Sequence, residues 1–139
     1  MSFIEKYFIN EEGEGFNPPA TAQQIAALEN ELGLVLPQDY KTFLLTMNGY
    51  EGVIGESYVV FEPVERIVEC TKESSTQFFP WTIYIGGNGG LEMFVMDTRT
   101  TPFSFGLLPS IGDENDFIPS GTFKQFLSRL KDGTAFDRI

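Results

Sequence analysis

The sequence has no histidine and a single cysteine, Cys70, in 139 residues. Histidine is the commonest general base near neutral pH and a frequent transition-metal ligand, so no His-based triad can be assembled within this chain. A lone thiol forms no intramolecular disulfide, and without a histidine beside it Cys70 lacks the usual activator of a cysteine nucleophile. Basic residues are scarce as well, 9 against 20 acidic ones, for a net charge of −11. Binding to nucleic-acid phosphates is driven by cationic contacts, so direct nucleic-acid binding is disfavoured and a basic partner is expected. Long apolar runs are missing too. None approaches the roughly 20 residues of a membrane helix, and Met1-Ser2-Phe3-Ile4-Glu5-Lys6 lacks the basic stretch and apolar run of a signal peptide. The expectation is a cytoplasmic chain with no membrane contact.

What is present is apolar and aromatic: 42% of residues are hydrophobic and 14 are Phe. That composition suffices for one core without disulfides or metal, and the length fits a single domain over residues 1–139. Residues 1–20 read as a short helix followed by an acidic, Gly-containing loop. Thr21 and Gln24 then form a capping-box pattern, Ile25, Leu28 and Leu32 share a face, and Gly33 is a stop, which predicts a helix over roughly 22–32. Tyr40, Phe43, Leu44 and Met47 follow Pro37 at helical spacing until Asn48-Gly49, predicting a second helix over roughly 38–47. A third begins at Pro63 with Val64, Ile67, Val68 and Thr71 on one face; a last one is expected after a Ser120 cap, with Phe123, Phe126, Leu127 and Leu130 as its stripe. Four short β-branched or aromatic runs near Tyr58–Phe61, Thr82–Ile85, Leu91–Met96 and Phe103–Leu108 read as strands. The fold class is therefore α+β, a mostly antiparallel sheet of four to six strands with helices packed around it.

Several landmarks together resemble the Smi/Knr group of the SUKH superfamily. Glu31-Leu32-Gly33 closes one helix, Pro37-Gln38-Asp39-Tyr40 opens the next, and Asn48-Gly49 ends it. Phe61-Glu62-Pro63-Val64 matches a strand running into a helix, and Ile85-Gly86-Gly87-Asn88-Gly89-Gly90-Leu91-Glu92 matches a Gly-rich hairpin. The likeness spans roughly residues 20–132 and lies in the order and spacing of the landmarks. It implies a sheet surrounded by helices and, as for many bacterial members, an immunity protein that neutralises a cognate, often nuclease-like toxin domain. With a surplus of acid on this chain, the expected mechanism is occlusion of a basic toxin surface, without catalysis and without a cofactor. The rival reading is a non-catalytic regulatory or scaffold module, with a small-ligand pocket in the crease between helices and sheet.

Particular residues sharpen these expectations. Gly86, Gly87, Asn88, Gly89 and Gly90 resemble a phosphate loop in composition, but Leu91-Glu92-Met93 starts a strand where a nucleotide site needs a helix, so a hairpin is expected, with Asn88-Gly89 supplying positive φ angles. Glu92 is expected to accept hydrogen bonds from the turn amides and Asp97 to order Thr98-Arg99-Thr100. Asp113, Glu114 and Asp116 lack the ligand spacing of a calcium loop and read instead as an acidic surface facing a partner. Phe78-Phe79-Pro80-Trp81 is either buried beside the sheet or exposed as an anchor, with Trp81 the candidate contact. Tyr50, Glu51 and Glu56, in what reads as a flexible segment after the second helix, form the other candidate rim.

Overall fold

The computed structural model describes Tyr7, Phe8 and residues 17–136. The helix expected near the start therefore lies outside the described residues, except for Tyr7 and Phe8, both of which are buried. The elements run α1 (Ala22–Leu32), α2 (Gln38–Thr46), β1 (Tyr50–Ile54), β2 (Ser57–Phe61), α3 (Val64–Glu73), β3 (Thr82–Gly87), β4 (Glu92–Asp97), β5 (Ser104–Pro109), β6 (Ile118–Gly121) and α4 (Phe123–Asp132), with short 3-10 turns at Ser75–Phe78 and Glu114–Asp116. The six strands form one antiparallel sheet in chain order, β1 to β6.

Two strands exceed the four located in the sequence. β1 occupies the stretch read as a flexible loop: Tyr50 and Ile54 alternate inward while Glu51 and Val53 point out, a period-2 pattern obscured by Gly52 and an adjacent Asn-Gly. β6 contains Pro119 and Gly121, poor strand formers that are tolerated because it is an edge strand. Ser120 lies within β6 and does not cap the last helix. Thr122 does so, in a reciprocal capping box with Gln125, while Ser120 Oγ accepts a hydrogen bond from the Arg129 guanidinium.

One sheet face carries the main core. Ile83 and Ile85, Phe94 and Met96, and Phe105 and Leu107 project from β3, β4 and β5 into a core shared with apolar residues of α1, α2, α3 and α4. Its centre is aromatic: Phe61, Phe94 and Phe126 make contacts with centroids 5.1–6.5 Å apart, and Phe123 packs against Phe43, Phe61 and Phe105. Such tilted and edge-on pairs suit the ring quadrupole and add to the burial of apolar area.

Between the first hairpin and the rest of the sheet, β2 and β3 pair only at Val60↔Gly87 and Phe61↔Gly86. The strands come so close there that a Cβ on Gly86 would collide with the Val60 carbonyl, which accounts for this glycine through proximity. Beyond that short pairing α3 takes over the edge of β3, with Tyr84 N–H donating to Thr71 Oγ1 at 2.9 Å.

The Asn-Gly landmark acts at a distance. Pro63 precedes α3 and supplies no side-chain cap. Asn48 Oδ1, buried at the end of α2, accepts from Val64 N–H at 2.8 Å, and its Nδ2 donates to Glu65 at 2.8 Å. A residue that reads as the stop of one helix is thus the N-terminal cap of another. Glu29 acts similarly at the α1–α2 corner, accepting from Leu36 N–H at 2.7 Å and pairing with Lys41 at 3.4 Å.

Candidate partner-binding face

The opposite face of the sheet is built from alternate residues of the same strands. Glu51 and Val53 of β1, Tyr58 and Val60 of β2, Tyr84 of β3, and Met93 and Val95 of β4 point this way, since each is paired with, or two residues from, another member of the set. Over β3 to β5 a small apolar cluster of Met93, Val95, Leu108 and Phe117 is roofed by Phe79 and Trp81. Over β1 and β2 there is no such roof among the described residues, and Val53 and Tyr58 are exposed.

Between these two regions lies a cleft of about 420 Å³. One wall is the end of α3 and the following turn, Glu73, Ser74 and Ser75; the other is the glycine hairpin; Tyr84 and Met93 belong to the sheet between them. The walls are tied together, because Ser75 Oγ donates to the Ser110 carbonyl at 2.5 Å and Ser110 N–H donates to the Leu91 carbonyl at 2.6 Å. Within the hairpin Asn88 is the organiser. Its Oδ1 accepts from Gly90 N–H at 3.0 Å and Glu92 N–H at 3.3 Å, while Glu92 receives the Asn88 amide at 2.9 Å. The amides expected to bind Glu92 are therefore held by Asn88. Only Gly89 here has a positive φ, +76°, and Asn88 does not, because the loop spans four residues and needs one left-handed residue rather than two.

Charge on this face is mostly negative. Glu62, at the root of α3, has its carboxyl pushed above the usual range by burial, with Arg66 opposing and Glu51 adding to the rise. Arg66 lies along α3 against Glu69 at 3.1 Å and near the Cys70 sulfur at 3.7 Å. Burial, then the field of Glu62, pushes the Cys70 thiol up against the opposing effect of Arg66, and so disfavours the thiolate. Tyr84 is pushed up to about 12 by burial and then by Glu62, so its hydroxyl is neutral across the physiological range. Tyr58 donates a hydrogen bond to Glu51, which raises its phenol in turn.

The residues singled out in the sequence divide across this geometry. Glu51 sits beside Tyr58 on the open shelf, and Glu56 is exposed at the tip of the β1–β2 hairpin. Tyr50 is corrected: it is only 3% exposed, its ring packs edge-on to Phe8 at 4.9 Å, and as an inward position of β1 it belongs to the main core. Trp81 is half-buried against Phe117 at 5.5 Å, with the Arg99 guanidinium 3.6 Å above its ring. Asp97 is buried, accepts from Arg99 N–H at 2.9 Å and binds the Arg99 side chain, thereby holding that stack in place. Asp113, Glu114 and Asp116 are exposed beside it, but Asp113 and Asp116 hold each other's turn in a capping box, and Glu114 lies close enough to act on Arg99. The shelf thus adjoins the cleft through Tyr58 and Gly89, whereas the tryptophan corner lies toward the other end of β3 and β4, an arrangement that spacing in sequence did not reveal.

Exposed apolar side chains follow the same distribution. Among the described residues eight large hydrophobics are exposed, and five of them, Val53, Tyr58, Phe78, Leu91 and Ile111, border this face. Leu91, 68% exposed, lies between the lining residues Gly90 and Glu92; Ile111, 89% exposed, follows Ser110; Phe78, 71% exposed, ends the turn that starts at Ser75; and the Tyr58 ring lies against Gly89. No group of three or more Cys, Asp or Glu able to hold a metal ion occurs among the described residues, and no helix there is long and apolar enough to cross a membrane.

The architecture defines the class as an α+β domain, with its principal core on one side of a six-stranded antiparallel meander and the landmarks noted above at the helix ends. The chain belongs to the SMI1 / KNR4 family (SUKH-1), whose sequence pattern matches residues 19–129. It is also 34% identical over 106 residues to the Bacillus subtilis (strain 168) "Uncharacterized protein YnaB", a match covering 74% of this chain and 69% of that protein. The family includes immunity proteins, and its domains bind partner proteins.

Proposed function

We propose that this chain is an immunity protein that binds a toxin domain of complementary positive charge through the outer sheet face and inactivates it by occlusion, without catalysis of its own. The observation that carries this reading is the gathering of exposed apolar side chains around an acidic cleft. Large apolar groups left in water on one face favour association, and the carboxylates beside them select basic partners and accelerate encounter. Family membership supports the same class, and a cytoplasmic location follows from it, since the partner must be met inside the producing cell. A nuclease, whose substrate-binding surface is cationic, is the toxin type that best suits such a face.

The test is co-expression with candidate toxin domains of the same organism, beginning with any encoded beside this gene. Growth should be restored by the parent chain and lost with the double variant Tyr58→Asp, Leu91→Asp, which should still melt cooperatively. Growth arrest undiminished by the folded parent chain would refute the immunity reading.

The cleft volume favours one other reading, a regulatory module that holds a small ligand there, because about 420 Å³ lies within the range of small-molecule sites. Protection that needs an added metabolite would favour that alternative.

A further inference from the structure

We infer that the cleft between α3 and the glycine hairpin is the seat of one cationic side chain of the partner, presented by a segment in which an arginine or lysine is flanked by large apolar residues. This rests on the protein-binding reading above and adds the chemistry by which the partner is read. Three features of the cleft determine the occupant. None of its lining residues is basic, whereas Glu73 and Glu92 are acidic. The Tyr84 hydroxyl lies close to Gly87, where a Cβ would stand 3.5 Å from it, and is protonated, so it offers a neutral polar partner beside the carboxylate wall. Met93 and the glycine backbone give the aliphatic stem an apolar surface.

The rim determines what flanks the charge. Leu91 lies between the lining residues Gly90 and Glu92, Ile111 follows the lining residue Ser110, and Phe78 ends the turn that begins at the lining residue Ser75; all three are exposed, which leaves apolar surface for the neighbours of the inserted side chain to bury. The hydrogen bonds from Ser75 to Ser110 and from Ser110 to Leu91 fix the walls before binding, which lowers the ordering cost. A free anion is repelled by the same carboxylates, and an uncharged apolar peptide would leave Glu73 and Glu92 facing it without a counter-charge.

The experiment is an NMR titration of the full chain with the capped tripeptide Leu-Arg-Leu and, as control, its neutral isostere Leu-citrulline-Leu. The expected result is shifts concentrated at Tyr84, Gly87, Gly90, Met93 and Ser110 with the arginine peptide, at least several times smaller with citrulline, and weakening with added salt. Glu73→Gln should raise the Kd roughly two- to fivefold, the range for a partly exposed ion pair. Gly90→Trp places a large side chain at the mouth, where a Cβ meets nothing nearer than Asn88 Oδ1 at 3.5 Å, and should abolish the shifts in a protein that melts like the parent. Equal shifts with both peptides, shifts elsewhere, or binding that survives Gly90→Trp would overturn the inference. The two levels separate cleanly: a Gly90→Trp chain that still protects cells removes the cleft from the interface while leaving the immunity function, whereas peptide in the cleft with no protection by the parent does the reverse.

Discussion

Replacing Asn48 tests whether one buried amide holds the helical layer together. In Asn48→Ala the Val64 N–H loses its 2.8 Å partner and Glu65 loses a second contact of the same length. A buried donor left unpaired costs about 1–3 kcal/mol, and the more exposed contact adds about 0.5 kcal/mol, for an expected loss of about 1.5–3.5 kcal/mol. For a chain of this size that lowers Tm by about 6–12 °C. Asn48→Asp separates the two contacts. Its carboxylate still accepts from Val64 N–H at the positive end of α3, but it now confronts Glu65 where an amide donor stood. The two like charges oppose each other while both are ionised, so the cost is full at neutral pH and is lifted in acid, once one carboxyl carries a proton that it can donate to the other. Adding Glu65→Gln to the Asn48→Asp variant should recover the loss at pH 7. Urea titrations at pH 7 and pH 4 with these variants measure every term. A loss under about 0.5 kcal/mol in Asn48→Ala, or an Asn48→Asp protein as stable as the parent at pH 7, would refute the capping argument.

The Tyr40 hydroxyl is fully buried and has no hydrogen-bond partner among the described residues, so Tyr40→Phe should raise stability by about 1 kcal/mol in chemical denaturation, and an equal loss would reveal a partner for that oxygen. Glu62, whose folded-state pKa is raised, binds its proton more tightly folded than unfolded, so its contribution to stability falls as pH rises through the carboxylate range. Glu62→Gln should therefore be more stable than the parent at pH 7, with the difference vanishing below about pH 4 in paired melts; a variant less stable at pH 7 would show that the contact with Arg66 outweighs desolvation.

Elements that announce themselves by local pattern were legible in the sequence. Thr21 with Gln24 and Gly33 bracket α1 as the capping and stop signals require, and the Phe123, Phe126, Leu127, Leu130 stripe lies on the buried face of α4. What local pattern could not show depends on residues far apart in the chain. Asn48 caps a helix sixteen residues later, and only the fold brings the two together. The cleft draws its lining from residues 73–75, 84–93 and 110, three segments with no shared motif. Phe78 and Trp81 belong to one aromatic stretch, yet the 3-10 turn sends the first into solvent and lets the second pack on Phe117. The acidic and apolar surpluses were visible in the sequence; their convergence on one face required the pairing of the strands.

The two-residue stitch between β2 and β3 is a line along which the sheet divides into a two-stranded and a four-stranded part, joined by few ladder bonds. Insertions or altered lengths in the first hairpin need not disturb the alignment of the four strands beyond it, because so few ladder bonds transmit a slip across that join. The Tyr58 shelf can thus be remodelled while the other four strands keep their register.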